Sequence, residues 1–264
     1  MKFACSNIAW DTTQESDCLD FLHNNNIRGV EVAPTIVWPN WENVSSNSAR
    51  LYKKLLNDLG FEIPAMQSIL YGKKFNSIFD KADQENILEH LKLIAELAYE
   101  LNAKSIIFGN PKLRKTNLNF NDSVNEVYSF FSRAAELFHS IDSCLCIEPC
   151  HQSLDCDFVT NTTEACSLVK HIDHLGFRLH VDSGSLFLAG ETLDDRWDDI
   201  KEYTTHYHIS QPNLIDFSDN QVPHESNLSF LNENLYDNWC SVEMKNSEIP
   251  FSARGPWNII SKFA

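Results

Sequence analysis

The chain has 264 residues, 43% hydrophobic and 11% aromatic, values that build a packed core and exclude a disordered protein. Lys and Arg total 21 against 37 Asp and Glu, a net charge of −16. That field repels phosphate backbones and leaves counterion release without a source, which excludes nucleic acid as a partner and favours cations.

No run approaches the ~20 apolar residues of a membrane span, so no membrane partner is expected. Met1-Lys2-Phe3-Ala4-Cys5 runs straight into strand-like sequence with no apolar leader, and a cytoplasmic protein is expected. In that setting the eight cysteines read as reduced, buried thiols, because no pair has zinc-finger spacing.

In chain order, strand-like apolar runs fall at 2–8, 29–33, 63–69, 105–108, 144–147, 177–181, 205–209 and 240–244. Between most of them lies a segment of helical period. Gly60 after 55–59 is a helix stop. Over 83–101, Ile87, Leu91, Ile94, Ala95, Ala98 and Leu101 share one helix face, and over 121–141 Val124, Val127, Phe131, Ala134 and Phe138 do the same. Asn161, followed by Thr162, Thr163 and Glu164, is an N-cap with acid in the first turn. Eight strands alternating with seven or eight helices over ~250 residues predict an α/β fold, a single (β/α)8 barrel spanning residues 1–264. A doubly wound sheet is the alternative, but no Gly-x-Gly-x-x-Gly follows the first strand.

Four of the runs close on a polar residue: Cys-Leu-Cys-Ile-Glu (144–148), Phe-Arg-Leu-His-Val-Asp (177–182), His-Tyr-His-Ile (206–209) and Cys-Ser-Val-Glu-Met (240–244). Such groups at the ends of buried strands are costly unless they share a partner. In a barrel the four strand ends converge, and three carboxylates with one imidazole form a ligand set for one divalent cation: Glu148, Asp182, His208 and Glu243. Glu148 and Glu243, on the outer two of these four strands, are the natural proton-transfer pair across a metal-bound substrate.

Around this core the sequence resembles the sugar phosphate isomerase/epimerase family, the xylose isomerase-like TIM barrels of the AP endonuclease 2-type superfamily. The resemblance covers essentially the whole chain and rests on Ile-Glu-Pro (147–149), Val-Asp-Ser-Gly (181–184), His-Tyr-His-Ile-Ser (206–210) and Ser-Val-Glu-Met (241–244). Ala-Met-Gln-Ser (65–68) and Phe-Gly-Asn-Pro-Lys-Leu-Arg (108–114) are similar to a bacterial branch of the same family. It implies that Glu148, Asp182, His208 and Glu243 bind one metal, usually manganese, magnesium, cobalt or zinc, with iron a further candidate. It also implies that Glu148 and Glu243 act as acid and base. The ketose 3-epimerases of the family carry a His where this chain has Ser185 and an Arg where it has Leu214. The resemblance therefore implies the barrel and the metal more strongly than any one sugar.

Candidate substrate contacts are Glu31 and Gln67 at the barrel mouth, Lys112 with Arg114 in the loop after the fourth strand, Ser185, Gln211, and His224 in the long segment after the seventh strand. Glu31 and Gln67 could equally satisfy a buried polar layer. Trp38 and Trp41 could cover a substrate or pack under their own loop. The leading expectation is a metal-dependent sugar or sugar-phosphate isomerase/epimerase working through an enediolate. Its rivals are a dehydratase of a keto-cyclitol or dehydroshikimate-like substrate and a barrel that binds metal and sugar without turnover. The expected partner is a small sugar, sugar phosphate or cyclitol, with a homo-oligomer left open.

Overall fold

The computed structural model describes all 264 residues. Eight strands form: β1 (Lys2–Ser6), β2 (Gly29–Glu31), β3 (Ala65–Met66), β4 (Ser105–Phe108), β5 (Cys144–Ile147), β6 (Phe177–Asp182), β7 (Thr204–Ser210) and β8 (Trp239–Glu243). They pair in the order β2-β1-β8-β7-β6-β5-β4-β3, every pair parallel. The last strand thus lies beside the first, with Phe3 opposite Cys240 and Cys5 opposite Val242. Between β2 and β3 the ring closes through two isolated bridges, Gly29 to Glu62 and Val32 to Met66. There Val30 N donates to Glu62 O (2.9 Å), Val32 N to Ala65 O (3.0 Å) and Gln67 N to Val32 O (3.0 Å). The molecule is the (β/α)8 barrel that the alternation of runs predicts.

Helices α1 (Glu15–Asn24), α2 (Ser46–Asp58), α3 (Lys81–Leu101), α4 (Phe120–His139), α5 (Thr162–Ile172), α6 (Ser183–Leu188), α7 (Leu193–Ile200) and α8 (His224–Glu233) surround the strands. Their ends follow local chemistry. The side chains of Asp80, Asn119 and Asn161 accept from the amides of Asp83, Asp122 and Glu164 and satisfy orphan donors of the first turns. After α2, Gly60 takes φ +85°, a left-handed turn that lets the chain re-enter the barrel. No helix is long and apolar enough to cross a membrane.

Alternation along the strands sorts the core into two parts. Outward-facing Ile147, Val181, Tyr207, Ile209 and Val242 are buried against the helices. Phe131 packs among Phe108, Phe130 and Phe177 at ring separations of 5.7, 4.9 and 4.9 Å. Burying each such ring stabilises the fold by roughly 1.5–3 kcal/mol. Inside the ring the contents change along the axis. Ile107, Cys144 and Cys146 form a small apolar plug, and the two thiols lie 3.5 Å apart. Beyond the plug the interior turns polar, with Glu31, His180, His206, His208 and Ser241 all buried. All eight cysteines are free and buried.

Candidate metal and active site

β6 ends at Asp182, and α6 begins there. One carboxylate oxygen, Oδ1, accepts from the Ser185 amide (2.6 Å), while Oδ2 accepts from the Ser210 hydroxyl. This double hold leaves the carboxylate a single orientation at the barrel mouth. On β7, His208 sits beside Asp182 in register. Its Nε2 contacts Glu31 Oε1 at 3.0 Å, and Nδ1 faces Glu243 Oε2 at 3.0 Å and Asp182 Oδ2 at 3.9 Å. Glu148 follows β5 directly, its amide bonded to Phe108 O (3.2 Å). Gly109 makes room for it: a Cβ there would lie 2.2 Å from Glu148 Oε2.

Glu148, Asp182 and Glu243 line one cavity of about 390 Å³, within the range of small-molecule sites. His208 is buried behind that lining, in contact with Glu243 and close to Asp182. Glu148, His180, Asp182 and His208 each place one donor atom within 4.8 Å of the others. The sequence pattern singles out Glu243 as the fourth member of that group and passes over His180. In the structure Glu243 stands next to His208, and His180 takes the fourth place in the donor cluster.

The electrostatics fit a divalent cation. Burial, then the Asp182 and Glu243 charges, pushes the Glu148 carboxyl up to about 8, and burial with Glu243 also raises Asp182. Burial alone would depress His208, but the carboxylates of Glu31 and Glu243 overcome it and hold the imidazole well above its usual range. Glu31 in turn is held well below the carboxylate range because His208 and His206 outweigh its burial. His208 Nδ1, although 3.0 Å from Glu243, has no aligned hydrogen-bond partner, and neither does either nitrogen of His180. Crowded buried carboxylates beside unpaired imidazole nitrogens are a donor set that one positive ion would satisfy. Its Nε2 held by Glu31, His208 would present Nδ1 to that ion in the carboxylate–histidine–metal arrangement.

The other sequence candidates divide. Gln67, Ser185 and Gln211 line the cavity. Gln67 is anchored at both ends, donating to Ser6 Oγ (2.7 Å) and accepting from Ser68 Oγ (2.8 Å). Gln211 is fully buried and tied to Asn220 and His224, so His224 lies behind the cavity wall as a support. Glu31 does not reach the cavity at all; it belongs to the buried polar layer, bonded to His206 and His208. Lys112 is exposed and outside the lining, because the turn at Pro111–Arg114 directs Arg114 inward, where it donates to Val159 O (3.3 Å). The cation that does line the cavity is Lys245, two residues after Glu243, which reading by strand ends passes over. Trp41 packs not under its own loop but against the segment after β3 and helix α3, donating to Tyr71 O (2.8 Å) with its ring edge-on to His90. Tyr71 itself stands exposed at the rim.

An eightfold parallel barrel with carboxylates and imidazoles gathered at the C-terminal mouth is a defined class of β/α barrel. Within that class the chain belongs to the xylose isomerase-like TIM barrel family, whose profile matches residues 19–259. Among solved structures it is similar to 3-keto-D-glucoside 4-epimerase from E. coli, with TM-score 0.79 and 13% identity over 100% of both chains. It is also similar to a probable 3-DHS dehydratase from Bacillus anthracis, with TM-score 0.70 and 17% identity over 99% of this chain and 97% of that one. A third, the IolI protein with a bound zinc atom, gives TM-score 0.75 and 15% identity over 99% and 95%. At these identities the likeness is one of fold. Comparison with curated protein sequences found no match.

Proposed function

We propose that the protein is a divalent-metal-dependent epimerase or isomerase of a sugar or closely related polyol, moving a proton between Glu148 and Glu243. The observation that carries this reading is the convergence of both glutamates with Asp182 on one cavity over the buried His208. The fold's sugar-epimerase and zinc-bound neighbours are in keeping with it.

A bound cation would supply the positive charge that stabilises an enediolate's oxygens. Glu148, Asp182, His208 and Glu243 would hold it, with Glu31 fixing the His208 ring. Glu148 follows β5 and Glu243 ends β8, with two strands between them in the ring, so they can address a substrate between them from different sides. One carboxylate takes the proton next to the substrate carbonyl, and the other returns a proton to the opposite face. Leu70, Leu188 and Leu214 give the cavity aliphatic lining beside these groups.

The test is turnover of ketoses and keto-glycosides in deuterated water by wild type, Glu148→Gln and Glu243→Gln. Deuterium should enter the product at one carbon in the wild type, and each variant should lose at least about a hundredfold in rate. Unchanged rates in both variants would sink the proposal. A product with new ultraviolet absorbance would instead identify a dehydratase using the same first proton abstraction. Candidate ligands bound with no exchange would indicate a binding barrel.

A further inference from the structure

Three imidazoles stack inside the barrel beneath the mouth: His180 on β6, His206 and His208 on β7. The His180 ring stands 4.0 Å from His208 and 5.5 Å from His206. Two of the three are tethered, because Glu31 contacts Nε2 of His206 at 3.2 Å and Nε2 of His208 at 3.0 Å. His180 has no exposure to solvent and no partner on either nitrogen. A buried imidazole left unpaired is rare in folded proteins, and a Leu or Met would fill the same space without leaving polar atoms unsatisfied. Its donor atom also lies within 4.8 Å of those of Glu148, Asp182 and His208. The β6/β7 pairing shifts register between Leu179 and His180, immediately before this residue, and sets His180 opposite His206 and Asp182 opposite His208.

We infer that His180 is a further ligand of the metal centre, giving the ion two imidazoles alongside its carboxylates. This rests on the reading that the cavity binds a divalent cation, and it names the class of ion. Magnesium prefers an all-oxygen shell and keeps its waters, whereas imidazole suits zinc, cobalt and iron. The second nitrogen therefore turns the site from a magnesium-type centre to one that selects a borderline transition metal. Neutral imidazole carries no charge to offset the carboxylates, so the change is in ligand softness and not in net charge.

The experiment strips the purified protein with chelator, reloads it with one equivalent of Mn2+, and counts coupled imidazole nitrogens by pulsed electron paramagnetic resonance. Two couplings are expected in wild type. One coupling with Mn2+ bound would overturn the inference while leaving the metal reading intact. Failure to take up any of Mn2+, Zn2+ and Mg2+ would overturn both. In parallel, His180→Leu should weaken Zn2+ binding about tenfold or more and leave Mg2+ binding within about threefold, since imidazole favours the former ion. Equal losses for both ions would overturn the selectivity. The wild-type nitrogen count needs no variant, so it decides the matter even if His180→Leu folds poorly.

Discussion

Glu31 holds two histidines from a position the substrate cannot reach, with His208 the closer at 3.0 Å. Replacing it with Gln keeps the shape but removes the charge that fixes the His208 ring. Metal affinity of Glu31→Gln should fall about 10–100-fold by titration of the stripped protein, and an unchanged affinity would refute the orienting role. Protonation offers a second check. Metal-free, Glu148 holds its proton up to about 8 in the folded chain, against 4.5 for the free group. At this group the folded state binds more protons than the unfolded one across that window, so its contribution to metal-free stability falls as pH rises through it. His208, raised by Glu31 and Glu243 against its burial, acts in the same direction. A cation displaces both protons. The gap in Tm between manganese-loaded and chelator-treated protein should therefore widen from pH 5 to pH 8, and a gap constant with pH would contradict it. Glu148, Asp182, His208 and Glu243 were legible in sequence because each closes an apolar run, where a polar residue stands out. His180 was not, because a histidine inside a strand reads equally as packing. Glu31 was visible as a residue but not as a partner, since its contacts lie 175 and 177 positions away.

At the scale of elements, the helices were the clearest part of the sequence. The stripe from Ile87 to Leu101 falls within Lys81–Leu101, and Asn161 caps Thr162–Ile172 as its spacing predicts. That cap gives a direct prediction: Asn161→Ala should cost about 1 kcal/mol and lower Tm by about 2–4 °C, by thermal unfolding with activity retained. No loss would mean that Glu164, whose carboxylate also reaches the Thr160 amide at 2.8 Å, holds the turn by itself. Strand lengths were less legible. The apolar run at 63–69 yields only Ala65–Met66 as strand, because Pro64 offers no amide to the ladder and Ser68 turns to φ +53°. The loop after β4 misled for a similar reason. Lys112 and Arg114 look alike in sequence, but the tight turn sends one to solvent and the other inward.

Over the whole molecule the ring is uneven. Seven strand pairs form ladders, while the contact between β2 and β3 rests on isolated bridges. Pairing that is interrupted, in place of a continuous ladder, makes this seam the first place to open. Amide exchange should be faster at Val32 and Gln67 than at Ile106, Leu145 and Val181, and uniform protection around the barrel would disprove a weak seam. Closure on the other side has a consequence for biosynthesis. β8 occupies the gap between β1 and β7, so one edge of Phe3-Ala4-Cys5 has no mate until residues 239–243 have been made. Throughout translation that apolar edge is an open template for the wrong strand. The ring cannot be sealed as it is threaded out, only after its final staves arrive. The nascent chain is therefore open to misassembly until β8 has been made, and a holding chaperone would matter most up to that moment.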